Sequence, residues 1–337
     1  MIGRVLVLGA GPAGMEVATR LKALDIFPIV IEKKSSIGGH LTKWDRLFPG
    51  MQSAQSILDT ISEDMEGIYT MTDTTLISAE RIENNNYRVS LSNGDIIVVE
   101  AIVIATGFTL FNAKRKEEYG YGIYDHVITN ADLENFFKTG VDNRVNNPSK
   151  IGFVHCVGSR DEKACNRQCS KVCCVTAVKQ AIELKERFPE ADIYCFYMDL
   201  RMFGRGYEDL YLEAQSKCGV RFIRGRVSEV SEDNNSKVVV KAEDTLSSRP
   251  VKINLDLLIL MSGMVSNITN SDLLKSLGVK LGDDGFVDTL DPFGGNVESH
   301  SPGIFIAGTV SGPKTIPETL NDARGAAIAV HKYLKDR

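Results

Sequence analysis

A chain of 337 residues with 43% hydrophobic and 25% charged residues has the make-up of an ordinary globular protein, and its length predicts about two domains. A net charge of −5 argues against nucleic acid or an anionic membrane surface as the main partner. No apolar run approaches the ~20 residues that span a bilayer, and no leader-like segment precedes the first strand. The expectation is a cytoplasmic protein without a transmembrane segment, whose cysteines serve metal or redox chemistry more readily than structural disulfides.

In chain order, Arg4 to Leu8 reads as a buried strand, followed by Gly9-Ala-Gly11-Pro12-Ala13-Gly14 and an amphipathic helix to about Leu24. Gly9 permits the tight turn, Gly11 admits a pyrophosphate, and Gly14 lets helix and strand pack closely. The helix N-terminus then offers free N–H groups to phosphates. The next strand, Pro28 to Ile31, ends in Glu32, placed to bind a ribose 2′-hydroxyl and to disfavour NADP. Ser53 to Asp64 reads as helix. Residues 69–100 read as short strands with turns at Asn84-Asn85-Asn86 and Asn93-Gly94, the latter a hairpin signal. Residues 112–150 are polar and irregular, with a short helix at 131–138. A second α/β unit opens at Ile151, with strands near 151–155, 192–197 and 220–223 and helices near 171–187 and 207–217.

Five of the seven cysteines lie between Cys156 and Cys174. Thiolates are soft ligands that select iron–sulfur clusters, zinc or copper(I). Cys169, Cys173 and Cys174 meet around one centre if the backbone turns helical there, and Cys156 supplies a fourth thiolate from a strand end. Four thiolates suit a 4Fe–4S cluster or a structural zinc, and spare thiols are the third reading. No second glycine-rich loop follows the strand at 151–155, so NAD(P)H binding is not expected. No Cys-x-x-Cys pair occurs, which disfavours a self-contained dithiol reductase.

Three motifs resemble those of the flavoprotein disulfide reductase superfamily: Gly38-Gly39-His40 after Glu32, Ala105-Thr106-Gly107 after a buried strand, and Gly303 to Gly308-Thr309. Relatives carry Asp where Thr309 stands. The resemblance implies FAD held by Gly9, Gly11, Pro12, Ala13, Gly14, Glu32, Lys33, Gly38, Gly39, His40, Thr106, Gly107, Gly308, Thr309, Thr315, Ile316 and Pro317. Thr315-x-x-Glu318 reads as a capping box opening a helix to about Leu334. The superfamily directs that helix start at the flavin. The expected fold class is α/β, with two dinucleotide-binding domains. The FAD domain is discontinuous, at 1–110 and 256–337. A Rossmann-like domain at 111–255 lacks a nucleotide loop and carries the cysteines.

More of the chain resembles the A subunit of heterodisulfide reductase. The carriers are Ile37 to His40 with Phe48-Pro49, His155 to Asp161, Cys169-Ser-Lys-Val-Cys173-Cys174, Tyr197 to Glu208, and Gly312 to Thr319. In that family Cys-x12-Cys-x3-Cys-Cys binds a 4Fe–4S cluster, and Cys156, Cys169, Cys173 and Cys174 match it. Cys165 lies outside the pattern, and Cys195 and Cys218 read as core thiols. The resemblance places Lys179 by flavin N5, as the residue with a catalytic role; the alternative is a solvated lysine on a helix face. His40 and His155 read as hydrogen-bonding structural residues. The chain lacks the ferredoxin-like runs of methanogen A subunits. It is similar to the short A subunit of the heterodisulfide-reductase-like complex of sulfur oxidisers, and next to the A subunit of the quinone-interacting oxidoreductase of sulfate reducers. Implied partners are B- and C-like subunits, a lipoate-binding protein and a second copy of the chain. The rival from another class is a stand-alone NAD(P)H-dependent dithiol reductase.

Overall fold

The computed structural model describes residues 2–267 and 271–337, the side chains of 271–273 excepted. In chain order the main elements begin with Arg4–Leu8 (β1), Pro12–Ala23 (α1), Phe27–Ile31 (β2), Ala54–Glu63 (α2), Tyr69–Met71 (β3) and Ala101–Ile104 (β4). Next come Val127–Thr129 (β5), Asn130–Thr139 (α3), Lys150–Val157 (β6), Cys173–Arg187 (α4), Asp192–Tyr197 (β7), Tyr207–Ser216 (α5) and Arg221–Arg224 (β8). Leu257–Ser262 (β9), Ser271–Ser276 (α6), Ile304–Ile306 (β10) and Ile316–Lys335 (α7) complete the set.

The chain packs into two units, one of residues 1–42, 55–109 and 265–337, the other of residues 43–54 and 110–264. In the first, five parallel strands run in the order β10-β4-β1-β2-β3. Their centre is apolar on both faces, with Val5, Leu6, Val7 and Ile102 to Ile104 fully buried. Such strands belong in a parallel sheet covered on both sides. Pro12 starts α1, where a missing N–H costs nothing. Thr315 and Glu318 form a reciprocal capping box at the start of α7. Arg324 of α7 ion-pairs with Glu16 of α1 at 2.6 Å, tying the two helices together. A three-stranded antiparallel sheet of 76–81, 87–91 and 96–99 interrupts this unit.

The second unit repeats the plan as β5-β9-β6-β7-β8, again parallel, with a second antiparallel sheet of 227–232, 238–244 and 249–255. Two segments belong here that the sequence reading grouped with the first unit. β9 is completely buried and pairs with β6 on one side and β5 on the other, so it is a central strand of this sheet. Residues 46–47 and 52–53 form a small hairpin whose Phe48 and Met51 pack on this unit's core. α4 is buried almost all round through its first three turns, from Cys173 to Leu184 apart from Thr176.

Candidate functional site

Several glycine-rich turns gather at the ends of the first unit's strands. Gly9 has φ +101°, and a Cβ there would meet the Ala105 carbonyl oxygen at 2.7 Å. A Cβ on Gly14 would overlap the Gly9 carbonyl oxygen, so the close approach of α1 to β1 requires glycine. Gly11 differs from both. Its φ is −78°, and a Cβ would meet only the Gly39 Cα at 3.8 Å. The space in front of it is open in the protein itself.

Gly38 and Gly39 pack directly on this turn, where a Cβ on Gly39 would meet the Gly11 Cα at 2.9 Å. The Gly38 amide donates to the Ala10 carbonyl at 2.7 Å, and Gly39 has φ +59°. Glu32, at the end of β2, is buried and accepts from the Ala10 amide (2.9 Å) and the Lys34 amide (3.0 Å). Lys33 beside it is exposed. His40 stacks on Phe108 at 4.4 Å with Nε2 3.0 Å from the Phe108 carbonyl oxygen, which gives it a structural role. Gly107 and Gly308 both have positive φ. A Cβ on Gly107 would lie 3.7 Å from Thr309 Oγ1, and one on Gly308 would press on Ala13 (2.8 Å) and Thr319 (3.0 Å). Lys314 ties this corner together, donating to the Gly308 carbonyl (3.1 Å) and pairing with Asp322 (3.2 Å). The sequence reading includes Lys314 in the Gly312 to Thr319 motif but gives it no site role.

In the second unit, fifteen residues separate β6 from α4 where a tight strand-to-helix turn would form a nucleotide loop. The segment is held by its own polar side chains. Asp161 accepts from the Lys163 and Ala164 amides (3.0 and 3.3 Å) and pairs with buried Lys116 at 2.8 Å. Asn166 donates to the Gly158 carbonyl at 2.6 Å. Ser159 and Ser170 hydroxyls meet at 2.5 Å, and the Met264 amide donates to Ser170 at 2.8 Å. Cys156, Arg160, Cys165 and Lys171 all take positive φ, a conformation that costs a non-glycine residue energy and marks a constrained loop.

The cysteines divide into two groups. Burial pushes the Cys156 thiol up to about 11, and the neighbouring Cys174 and Cys169 push it further. Cys173 is raised by burial first, then by Cys156, Cys174 and Cys169. Cys174 is raised by burial and by Cys169. These four are therefore within electrostatic reach of one another. Cys165 is exposed and acts on none of them. Cys195 is fully buried in β7, and Cys218 is half-buried beyond α5. Among the described residues no three His, Cys, Asp or Glu side chains are grouped as a metal site, so the four thiols are gathered without being drawn onto one centre. Arg160 donates to Asp199 at 2.7 Å, and its buried Nη1 has no hydrogen-bond partner among the described residues.

Comparison with known proteins matches residues 3–143 to the pyridine nucleotide-disulphide oxidoreductase family. Over 243 residues the chain is 43% identical to the A subunit of the H2/formate:CoB-CoM heterodisulfide,ferredoxin reductase of Methanococcus maripaludis, covering 69% of this chain and 37% of that protein. It is 43% identical over 241 residues to the iron-sulfur A subunit of the CoB–CoM heterodisulfide reductase of Methanocaldococcus jannaschii, covering 69% and 37%. This chain is a homologue of the heterodisulfide reductase A subunits. A third A subunit, from Methanosarcina mazei, is 28% identical over an alignment that covers 96% of this chain and 52% of that protein. The chain thus spans about a third to a half of the length of these A subunits. Its fold is that of thioredoxin reductases: the Lactococcus lactis enzyme superposes with a TM-score of 0.70 at 19% identity, covering 99% of this chain and 100% of that one. Among the described residues no helix is long and apolar enough to cross a membrane.

In this A-subunit homologue Lys179 is not the solvated lysine of the alternative reading. It is 1% exposed on α4, with Nζ 2.5 Å from Glu134 Oε1 and 2.9 Å from Glu183 Oε2, and it donates to the Arg46 carbonyl at 3.1 Å. Gln180 donates to the same Glu134 oxygen at 2.7 Å. Neither Glu134 nor Glu183 was read as a site residue. Glu183 was detectable as the i+4 partner of Lys179, whereas Glu134 lies 45 residues away.

Burial pushes the Glu183 carboxyl up to about 7, opposed by Lys179 and reinforced by Glu134. The sign of its effect on stability follows. Between the ordinary carboxylate range and about 7 the folded protein binds more protons at Glu183 than the unfolded chain does. Its contribution is therefore full at acid pH and lost as pH rises through about 7. Glu183→Gln is expected to flatten the fall in stability between about pH 5 and 7, measured by urea unfolding across that range.

Proposed function

We propose that this chain is the FAD- and 4Fe–4S-carrying electron-transfer subunit of a heterodisulfide-reductase-like complex in sulfur metabolism. The observation that carries it is the pairing of two features in one chain. One is the glycine turn from Gly9 to Gly14, whose Gly11 leaves room for a Cβ and against which Gly39 packs; the other is four mutually close thiols around the start of α4. The donor chemistry fits: four soft thiolates are an iron–sulfur set. Cys173 and Cys174 open α4, whose first N–H groups have no side-chain cap and favour negative charge. Bound FAD supplies two-electron chemistry, and the cluster supplies single-electron steps.

The residues themselves have plain tasks in this reading. Gly9, Gly11, Pro12, Ala13 and Gly14 with Gly38 and Gly39 seat the pyrophosphate, and Glu32 takes a ribose hydroxyl. Thr106, Gly107, Gly308 and Thr309 line the chain of the nucleotide, and the α7 start at Thr315, Ile316 and Pro317 faces the flavin. Cys156, Cys169, Cys173 and Cys174 hold the cluster. B- and C-like subunits carry the disulfide chemistry, in a cytoplasmic assembly with a lipoate-binding protein and a second copy of this chain. Within the same family, the alternative is the corresponding component of a quinone-interacting complex.

The test is anaerobic purification of the whole complex followed by flavin, iron and sulfide analysis. About one FAD and four irons per chain are expected, with no bleaching of NADH by the isolated chain. A colourless or zinc-only protein would overturn the reading. Gly11→Val is expected to emerge without FAD, because the added carbons stand where the backbone would meet a pyrophosphate; Gly11→Ala, whose Cβ meets only the Gly39 Cα at 3.8 Å, is the milder variant and is expected to fold. A yellow Gly11→Val protein with full FAD content refutes the placement.

A further inference from the structure

Within the second unit, Arg160 is fixed at both ends. Its backbone takes φ +54°, a left-handed conformation that a non-glycine residue adopts at a cost, and its amide donates to the Gln168 carbonyl at 3.0 Å. The loop thereby sets where the side chain starts. Asp199, just beyond β7, sets where it ends. Asp199 Oδ2 accepts from Arg160 Nη2 at 2.7 Å, and Oδ1 lies 3.7 Å from Arg224 Nη2. The same aspartate reaches the thiols through its backbone, because its carbonyl accepts from Cys174 Sγ at 3.6 Å.

This places the guanidinium among the four cysteines. Burial raises the Cys156 and Cys174 thiols, and at both of them Arg160 pulls the other way. Arg160 in turn feels Cys156 and Cys169. Its Nη1 is buried and has no hydrogen-bond partner among the described residues. A buried donor left unpaired costs free energy, so this nitrogen calls for an acceptor that the protein's own side chains do not supply. Two of the sulfurs already face backbone donors: the Lys171 amide donates to Cys169 Sγ at 3.3 Å, and the Arg201 amide serves Cys174.

We propose that Arg160 is a fixed cation that raises the reduction potential of the cluster held by Cys156, Cys169, Cys173 and Cys174. The proposal rests on the reading that these thiolates bind a 4Fe–4S cluster. Each electron that such a cluster accepts adds one negative charge and neither makes nor breaks a bond. A neighbouring positive charge therefore favours the reduced form over the oxidised one. Arginine suits the task because its guanidinium keeps its proton at every working pH and can hold Asp199 with one nitrogen while another stays free. Charge and hydrogen bonds to sulfur are what set the potentials of these clusters, and Arg160 brings both.

The experiment is a potentiometric titration with dithionite on the anaerobically purified full-length holoprotein, followed by electron paramagnetic resonance, with iron and sulfide determined for every variant. Arg160→Gln is expected to keep its iron and to lower the cluster midpoint by ~60 mV, about tenfold in the equilibrium of a one-electron couple. Arg160→Lys keeps the charge on a shorter reach and is expected to show a fall of about threefold, roughly half as many millivolts. Arg167→Gln is the control. It removes the same formal charge from the same loop, but its side chain is 81% exposed where that of Arg160 is 24% exposed, so water screens it and the midpoint should stay in place. An unmoved midpoint in fully loaded Arg160→Gln, or equal shifts from Arg160→Gln and Arg167→Gln, overturns the proposal. If Arg160→Gln releases its iron, the Arg160→Lys midpoint decides on the same terms. Iron lost from both means that Arg160 only holds the loop, which overturns the proposal too. A wild-type protein without iron sinks the cluster reading itself.

Discussion

Serine in place of Cys156, Cys169, Cys173 or Cys174 is expected to strip iron and acid-labile sulfide from the anaerobically purified protein, while serine at Cys165, Cys195 or Cys218 leaves both in place. A hydroxyl is a hard, weakly acidic ligand, and an iron–sulfur cluster selects thiolate. The structure groups these four by proximity, since each lies within electrostatic reach of the other three, whereas Cys165 acts on none of them and Cys195 feels Cys174 alone. Cys165 is exposed at the far turn of the loop, and Cys195 is a core residue of β7. Loss of the near-ultraviolet to visible iron bands should accompany loss of iron. Melting temperature falls too if the cluster braces the loop, because a group bound only by the folded state stabilises it. Iron retained in Cys156→Ser and lost in Cys165→Ser refutes the assignment.

Lys179→Met is expected to destabilise the protein by ~3–5 kcal/mol, the cost of breaking a buried ion pair and stranding its partners. That is roughly 10 °C of melting temperature at about 2–4 °C per kcal/mol. A lysine on a solvated face would cost almost nothing. The geometry decides between these. Nζ has two carboxylates within 2.9 Å and sits 5.9 Å from the centre of the Phe137 ring, and both carboxylates are buried with it. Adding Glu183→Gln should recover part of the loss, since burial pushes the Glu183 carboxyl up to about 7 and Lys179 is the group that opposes that shift. Calorimetry of the single and double variants checks both statements. A melting point within a degree or two of wild type returns Lys179 to a solvated role.

Local signals were legible in the sequence because the residues that make them are neighbours. The glycine turn at 9–14 opens a helix at Pro12, and Thr315 with Glu318 caps α7. The four cysteines also stand out by spacing alone. The surroundings of Lys179 did not, for two physical reasons. α4 is buried on nearly every side, so no polar stripe tells which of its charged residues face water. Its partners Glu134 and Arg46 are 45 and 133 residues away. The placement of residues 43–54 was equally hidden: Phe48 and Met51 are ordinary apolar residues, and nothing in them names the core they will join. β9 read as a buried strand, but burial does not say which sheet receives it.

α4 also acts as a ruler. Its first turn carries Cys173 and Cys174, and Lys179 and Glu183 follow on the same continuous rod. Helical geometry fixes the interval from Cys174 to Lys179 at ~7.5 Å along the axis, and each residue added or removed between them turns everything beyond by ~100°. The loop of residues 158–172 is constrained differently, by the side chains of Ser159, Asp161, Asn166 and Ser170 and by positive φ at Arg160, Cys165 and Lys171. Within the helix, length changes should be forbidden between Cys174 and Lys179. A single inserted alanine there would swing the ammonium out of reach of Glu134 even though every cysteine survived, so the thiols and the Lys179 ion pairs can be inherited or transplanted only together.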